Sequence, residues 1–242
     1  MPGSLALVGS GEYLPKMAEF EKSLLDDGIR AGMSPVYVQI PTAAGQESEQ
    51  RIQYWRELGE KQAEILDAQV RFLPIFDRDN ANDPEIVSAI TGSALIYLSG
   101  GDPHFLANTL RGTLAWKLVE ENWRRGGSLA GCSAGAMVMS TQIPNFRITR
   151  SDPTEGLALI PGLRVIPHFN KFFKWIPESA AKLLLEVPED SILLGIDEMT
   201  ALTRRSGKDD WEVYGDAQVH ILKGMPVRRL AHEECISLSL SS

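Results

Sequence analysis

Four histidines and two cysteines occur in the 242 residues, so few stretches could carry nucleophilic chemistry. The most suggestive is LAGCSAGAMVM, Leu129 to Met139, where Cys132 and Ser133 stand side by side between glycines. Gly131-Cys132-Ser133-Ala134-Gly135 fits G-x-S-x-G, a sharp strand-to-helix turn that holds its central side chain at the tip. Residues two positions to either side of that centre must be small, because a Cβ there would collide with the adjoining strand or helix. Centring the turn on Ser133 puts Gly131 and Gly135 at those positions, whereas centring it on Cys132 would put Ala130 and Ala134 there. Ser133 is therefore the expected nucleophile, and Cys132 a small buried apolar group of the strand.

A serine hydroxyl attacks only when a positioned base takes its proton. His220 alternates with apolar residues in a late strand and His232 lies in the charged RRLAHEE, so both read as structural or solvated. His104 follows Gly100-Gly101-Asp102-Pro103 at a strand end, where Gly100, Asp102 and His104 are placed to line a substrate cleft. His168 ends the strand LRVIP, the next one beyond the turn, and is the candidate base. A carboxylate must orient its imidazole. Asp152 is preferred because it lies in the irregular, Pro- and Gly-flanked RSDPTEGLALIPG, and such loops commonly carry catalytic groups. Glu155 in the same loop and Glu198 after the strand LLGID are the alternatives. The Ala134 amide with that of Gly100 or Gly101 would hold the oxyanion. Glu12, in GSGE after the first strand, is expected to edge the cleft, since the later glycine of a dinucleotide fingerprint is missing. No metal-ligand spacing appears, and this acyl transfer needs no cofactor.

Positioning these groups requires elements that alternate. Apolar runs at 4–10, 35–41, 70–76, 94–100, 128–133, 163–169 and 191–197 read as strands. Between them, 16–31, 49–68, 83–92, 103–126 and 177–187 carry helical periodicity. This pattern predicts an α/β fold, a mostly parallel sheet with helices on both faces, whose strand-to-helix loops carry the site. After Glu198, TALTRR, DWEVYG and AQVHILKG alternate apolar and polar residues and read as an antiparallel edge of the same domain, taken as residues 1–242. A net charge of -8 without a basic stripe argues against nucleic acid. No apolar run approaches the roughly 18 residues of a membrane span, and the N-terminus lacks a charged signal region. Two cysteines outside any metal motif fit a reducing cytoplasm.

Together, LSGGDPHFL, GCSAGAMVM some thirty residues later, then IPHF and GIDEMTAL, resemble the S51 serine peptidases, the family of aspartyl dipeptidase (peptidase E) and cyanophycinase. The resemblance implies a single flavodoxin-like α/β domain related to class I glutamine amidotransferases. It also implies peptidase chemistry with Ser133 as nucleophile, His168 as base and the Gly101 and Ala134 amides facing the oxyanion. Asp152 matches the family's acid in region and residue type. Cyanophycinase-like members follow the histidine with arginines, whereas this chain has HFNKFFKW, which argues against cyanophycin as substrate. Lys171, Arg147 or Arg150 could pair with a substrate carboxylate. The expected partners are a short peptide substrate and a second copy in a homodimer, with neither nucleic acid nor membrane. Two other readings stand beside it: a non-catalytic small-molecule-binding or regulatory module of amidotransferase-like shape, and an esterase or amidase using the same Ser-His site.

Overall fold

The computed structural model describes residues 1–143, 154–175 and 191–238. In chain order its strands are β1 (Leu5–Val8), β2 (Ser34–Ile40), β3 (Gln69–Phe72), β4 (Ser93–Leu98), β5 (Ser128–Cys132), β6 (Gln142–Ile143), β7 (Thr154–Glu155), β8 (Leu163–Ile166), β9 (Ile192–Ile196), β10 (Thr200–Arg204), β11 (Trp211–Gly215), β12 (Val219–Lys223), β13 (Arg228–Leu230) and β14 (Cys235–Ile236). The α-helices are α1 (Ala18–Arg30), α2 (Glu49–Ile65), α3 (Pro84–Val87), α4 (Pro103–Leu110), α5 (Leu114–Arg124), α6 (Ala134–Met137) and α7 (Phe169–Trp175).

An eight-stranded sheet carries the architecture, in the order β14-β11-β10-β1-β5-β4-β2-β3. The run β1-β5-β4-β2-β3 is parallel throughout, and β10, β11 and β14 extend it antiparallel beyond β1. Its inner strands β1, β4 and β5 are buried along their whole length and largely apolar, because both faces are covered. Leu5 and Leu7 of β1 enter one buried cluster with Ile96, Leu98 and Leu129, while the alternate Ala6 and Val8 pack with Phe20 and Leu24 of α1. That two-residue alternation sends Cys132 to the α1 face.

Three expectations change. The runs at 163–169 and 191–197 form β8 and β9, but these pair with each other in a second sheet, ordered β13-β12-β9-β8, and AQVHILKG joins them as β12. Both flanks of β1 are already occupied, by β5 and β10. Leu163, Val165 and Leu194 instead bury themselves in the cluster that holds Leu5 and Leu7. Apolar strands of this kind read alike in either sheet. The long periodic stretch 103–126 is two helices, broken where Gly112 adopts φ +69° and Thr113 caps α5. Only one α-helical turn, α3, and a short 3-10 turn form within 83–92, and the stretch 177–187 lies outside the described residues.

Beneath the sheet, α1 buries Glu21 completely. Its Oε1 accepts the Tyr13 N–H at 3.3 Å, and its Oε2 accepts the Tyr37 hydroxyl at 3.0 Å and the Gln62 amide at 3.1 Å. Burial outweighs these bonds and pushes the carboxyl from its ordinary 4.5 up to about 8. The folded chain then keeps a proton that the unfolded chain has lost, so stability is full below about pH 4.5 and declines as pH rises through about 8. Glu21→Gln should remove a decline on the order of a few kcal/mol between pH 5.5 and 8.5, measured by urea denaturation. Equal slopes in the two proteins would contradict this.

Candidate active site

Strand β5 ends at Cys132 and α6 begins at Ala134, so the whole reversal falls on Ser133, at φ +50° and ψ -106°. A non-glycine residue there carries on the order of 1–3 kcal/mol of strain and needs its surroundings to hold it. The Ser133 N–H donates to the Val8 carbonyl at 2.9 Å, and its own carbonyl accepts from Ala136 and Met137, both at 3.0 Å. The flanking glycines are sterically required. A Cβ on Gly131 would lie 2.3 Å from the Gly135 oxygen, and one on Gly135 would lie 2.4 Å from the Leu98 oxygen. Cys132 is fully buried, and its thiol donates to Glu12 Oε2 at 2.9 Å.

His168 follows β8, also at positive φ (+50°), and its Nε2 lies 3.2 Å from Ser133 Oγ. Its Nδ1 lies 3.0 Å from Oε1 of Glu198, which sits between β9 and β10. Glu198 is gripped from the first turn of α7: the Lys171 ammonium is 2.5 Å from Oε2, and Asn170 Oδ1 accepts the Glu198 N–H at 3.2 Å. Partial burial raises the Glu198 carboxyl, but the hydrogen bonds and charges of Lys171 and His168 prevail and hold it below the usual carboxylate range. An ionised carboxylate only accepts, so Nδ1 carries the proton and Nε2 is left as the acceptor for the serine hydroxyl.

Lys171 therefore has a measurable electrostatic effect. Replacing it by Met should move the Glu198 carboxyl titration, followed by carbon NMR, upward, because the Lys171 hydrogen bond and charge are among the causes that hold it down. An unmoved titration would show that the ion pair does not hold in solution.

Asp152, the preferred acid in the sequence, lies outside the described residues, as do Arg147 and Arg150. Glu155 does not approach His168 in the hydrogen bonds of the described residues. It is an exposed residue of β7 whose Oε2 lies 3.6 Å from Arg111 Nε. Glu198 is the carboxylate on the imidazole because β9 runs parallel to β8 and delivers it beside His168.

At the end of β4, Gly100 and Gly101 differ in what remains open to a ligand. The Gly100 N–H donates to Glu12 Oε1 at 2.8 Å. Gly101, at φ +138°, packs so closely on the 42–44 turn that a Cβ would lie 2.3 Å from the Ala43 oxygen. Among the described residues no hydrogen bond engages the amides of Gly101 or Ala134. Asp102 caps α4 by accepting the His104 and Phe105 amides, at 2.8 and 3.0 Å, and His104 Nδ1 lies 2.7 Å from Thr154 Oγ1. Asp102 thus shapes the start of α4, and the Lys171 ammonium is paired with Glu198.

Asn170 was not singled out from sequence, although a polar residue two positions after a candidate histidine, at a helix start, is a usable signal. Backbone strain is a second signal that sequence hides. Tyr13, Ser133, His168 and Met199 all have positive φ and lie at or next to Glu12, the turn, the imidazole and Glu198. Among the described residues no group of three or more His, Cys, Asp or Glu could hold a metal, and no helix is long and apolar enough to cross a membrane.

The model of peptidase family S51 matches residues 5–210. A cyanophycinase from Nostoc sp. is 30% identical over 211 residues, 80% of this chain and 65% of that protein, so the chain spans about two thirds of its length. The crystal structure of a peptidase from an acI-B1 Actinobacterium superposes with a TM-score of 0.95 at 61% identity, covering 98% of both chains. A putative peptidase E protein from Listeria monocytogenes shares the fold, with a TM-score of 0.63 at 24% identity over 89% of this chain and 99% of its own.

Proposed function

This chain belongs to peptidase family S51, and from that premise we propose that it is a serine peptidase cleaving short peptides or isopeptides through an acyl-enzyme on Ser133. The observation that carries the reading is the continuous relay from Ser133 Oγ to His168 Nε2 (3.2 Å) and from His168 Nδ1 to Glu198 (3.0 Å), with its serine at a strained turn. His168 takes the serine proton as Oγ attacks the scissile carbonyl, and Glu198 stabilises the imidazolium that results. The oxyanion forms against the amides of Ala134 and Gly101, where prepositioned donors are worth most. As the C–N bond breaks, His168 returns the proton to the leaving amine, and a water activated by the same imidazole then hydrolyses the ester. Glu198 replaces Asp152 as the proposed acid of this set.

We assign the whole chain to one catalytic domain, because side chains of both large sheets share one buried cluster. Reaction with a small fluorophosphonate tests the reading. We expect one adduct, on the peptide containing Ser133, and its loss in His168→Ala. Labelling that is unaffected by His168→Ala, or that maps elsewhere, would overturn the reading.

A further inference from the structure

Glu12 takes no part in the proton relay, yet it joins three strand ends that meet at the site. It leaves β1 in the turn Gly9-Ser10-Gly11-Glu12, just before Tyr13 at φ +60°, and only 8% of its surface is exposed. One carboxylate oxygen accepts the Gly100 N–H beyond β4 (2.8 Å), and the other accepts the Cys132 thiol at the end of β5 (2.9 Å). Contact across this junction is close. A Cβ on Gly100 would lie 2.6 Å from Glu12 Oε1 and 3.3 Å from Ser133 Cβ, so the glycine turn rests against both the carboxylate and the nucleophile. Behind it, the Tyr13 hydroxyl is 2.6 Å from Ser99 Oγ, a second tie from the β1 loop to the end of β4.

We propose that Glu12 is a positioning residue: by holding the Gly100 amide away from the cleft and the Cys132 side chain beneath the turn, it leaves Gly101 and Ala134 as the oxyanion donors and fixes their height relative to Ser133 Oγ. The inference rests on Ser133 being the nucleophile. Its physical basis is the narrow tolerance of such donors, which must sit about 2.7–3.1 Å from the developing oxyanion. A displacement of about 1 Å can cost about 100-fold in rate. Glutamine can keep an acceptor on the Gly100 amide, whereas alanine releases both strand ends.

Two measurements test this. First, in a crystal of the wild-type protein with a peptide boronate on Ser133, one boronate oxygen should accept from Gly101 and Ala134 while the Gly100 amide stays on Glu12. An oxygen bonded to the Gly100 amide overturns the proposal. Second, with kcat expressed per site titrated by fluorophosphonate, Glu12→Ala should lose about 10- to 100-fold in kcat with KM within about threefold, and Glu12→Gln should recover most of it. Wild-type kcat per titrated site in Glu12→Ala overturns the positioning role, since damage to folding alone would lower the titre and not the rate. If Glu12→Ala does not fold, the wild-type boronate complex decides. Failure of the wild-type protein to react with either reagent would overturn the Ser133 reading and this inference with it. Reaction with normal kinetics in the variant would sink the inference alone.

Discussion

Ser133→Ala is expected to lower kcat on a susceptible dipeptide by at least about 10⁴-fold, leaving only what the amides and substrate binding contribute. The substitution removes one oxygen from a half-buried position and leaves intact the backbone bonds that hold the turn. Stability and KM should therefore change little. Cys132 cannot take over. Its side chain lies on the α1 face of the sheet, and burial pushes its thiol well above the ordinary cysteine range, so it remains protonated at neutral pH. Dipeptide turnover by Ser133→Ala within tenfold of wild type would show that another group does the chemistry.

Glu198→Gln should cost roughly 10²- to 10⁴-fold in kcat, and the reason is tautomeric more than electrostatic. The carboxylate presents Oε1 to His168 and Oε2 to Lys171. A glutamine keeps its carbonyl oxygen on the Lys171 ammonium, which turns its NH₂ toward Nδ1. Nδ1 then becomes an acceptor, the proton moves to Nε2, and the imidazole faces Ser133 with nothing to receive the serine proton. Asp152→Asn serves as the comparison and should stay within about threefold of wild type, as expected when Glu198 is the carboxylate that orients the imidazole. If the two variants exchange effects, the acid is Asp152. The steady-state constants of both, on one dipeptide and its ester, decide the matter.

What the sequence made legible was local. Glycines two positions either side of Ser133 are demanded by contacts with Gly135 and Leu98 that any such turn makes, so the pattern alone located the bend. The inner parallel strands were likewise readable, because their mostly buried residues are largely apolar. The sequence offered the partner of His168 only as one of three candidates and did not rank it first. Glu198 lies thirty residues further on and arrives through β9 of a second sheet, whose strands carry the same apolar pattern as those of the first. The Pro- and Gly-flanked loop favoured Asp152, while nearness in space is set by the parallel pairing of β8 with β9. Contacts of charged groups were not readable either. The sequence offers Lys171 as one possible partner for a substrate carboxylate, and its pairing with Glu198 comes from the fold. It places Glu12 near the cleft, and the bonds of its two oxygens to Gly100 and Cys132 come from the fold as well.

The measurement that tests the central claim most directly is acid-quench mass spectrometry during turnover of a slowly deacylating peptide ester. The chain should gain the mass of the acyl group, the adduct should map to the peptide containing Ser133, and it should be absent from Ser133→Ala. Turnover at the wild-type rate in Ser133→Ala, or an acyl group carried on any other residue, would contradict the account.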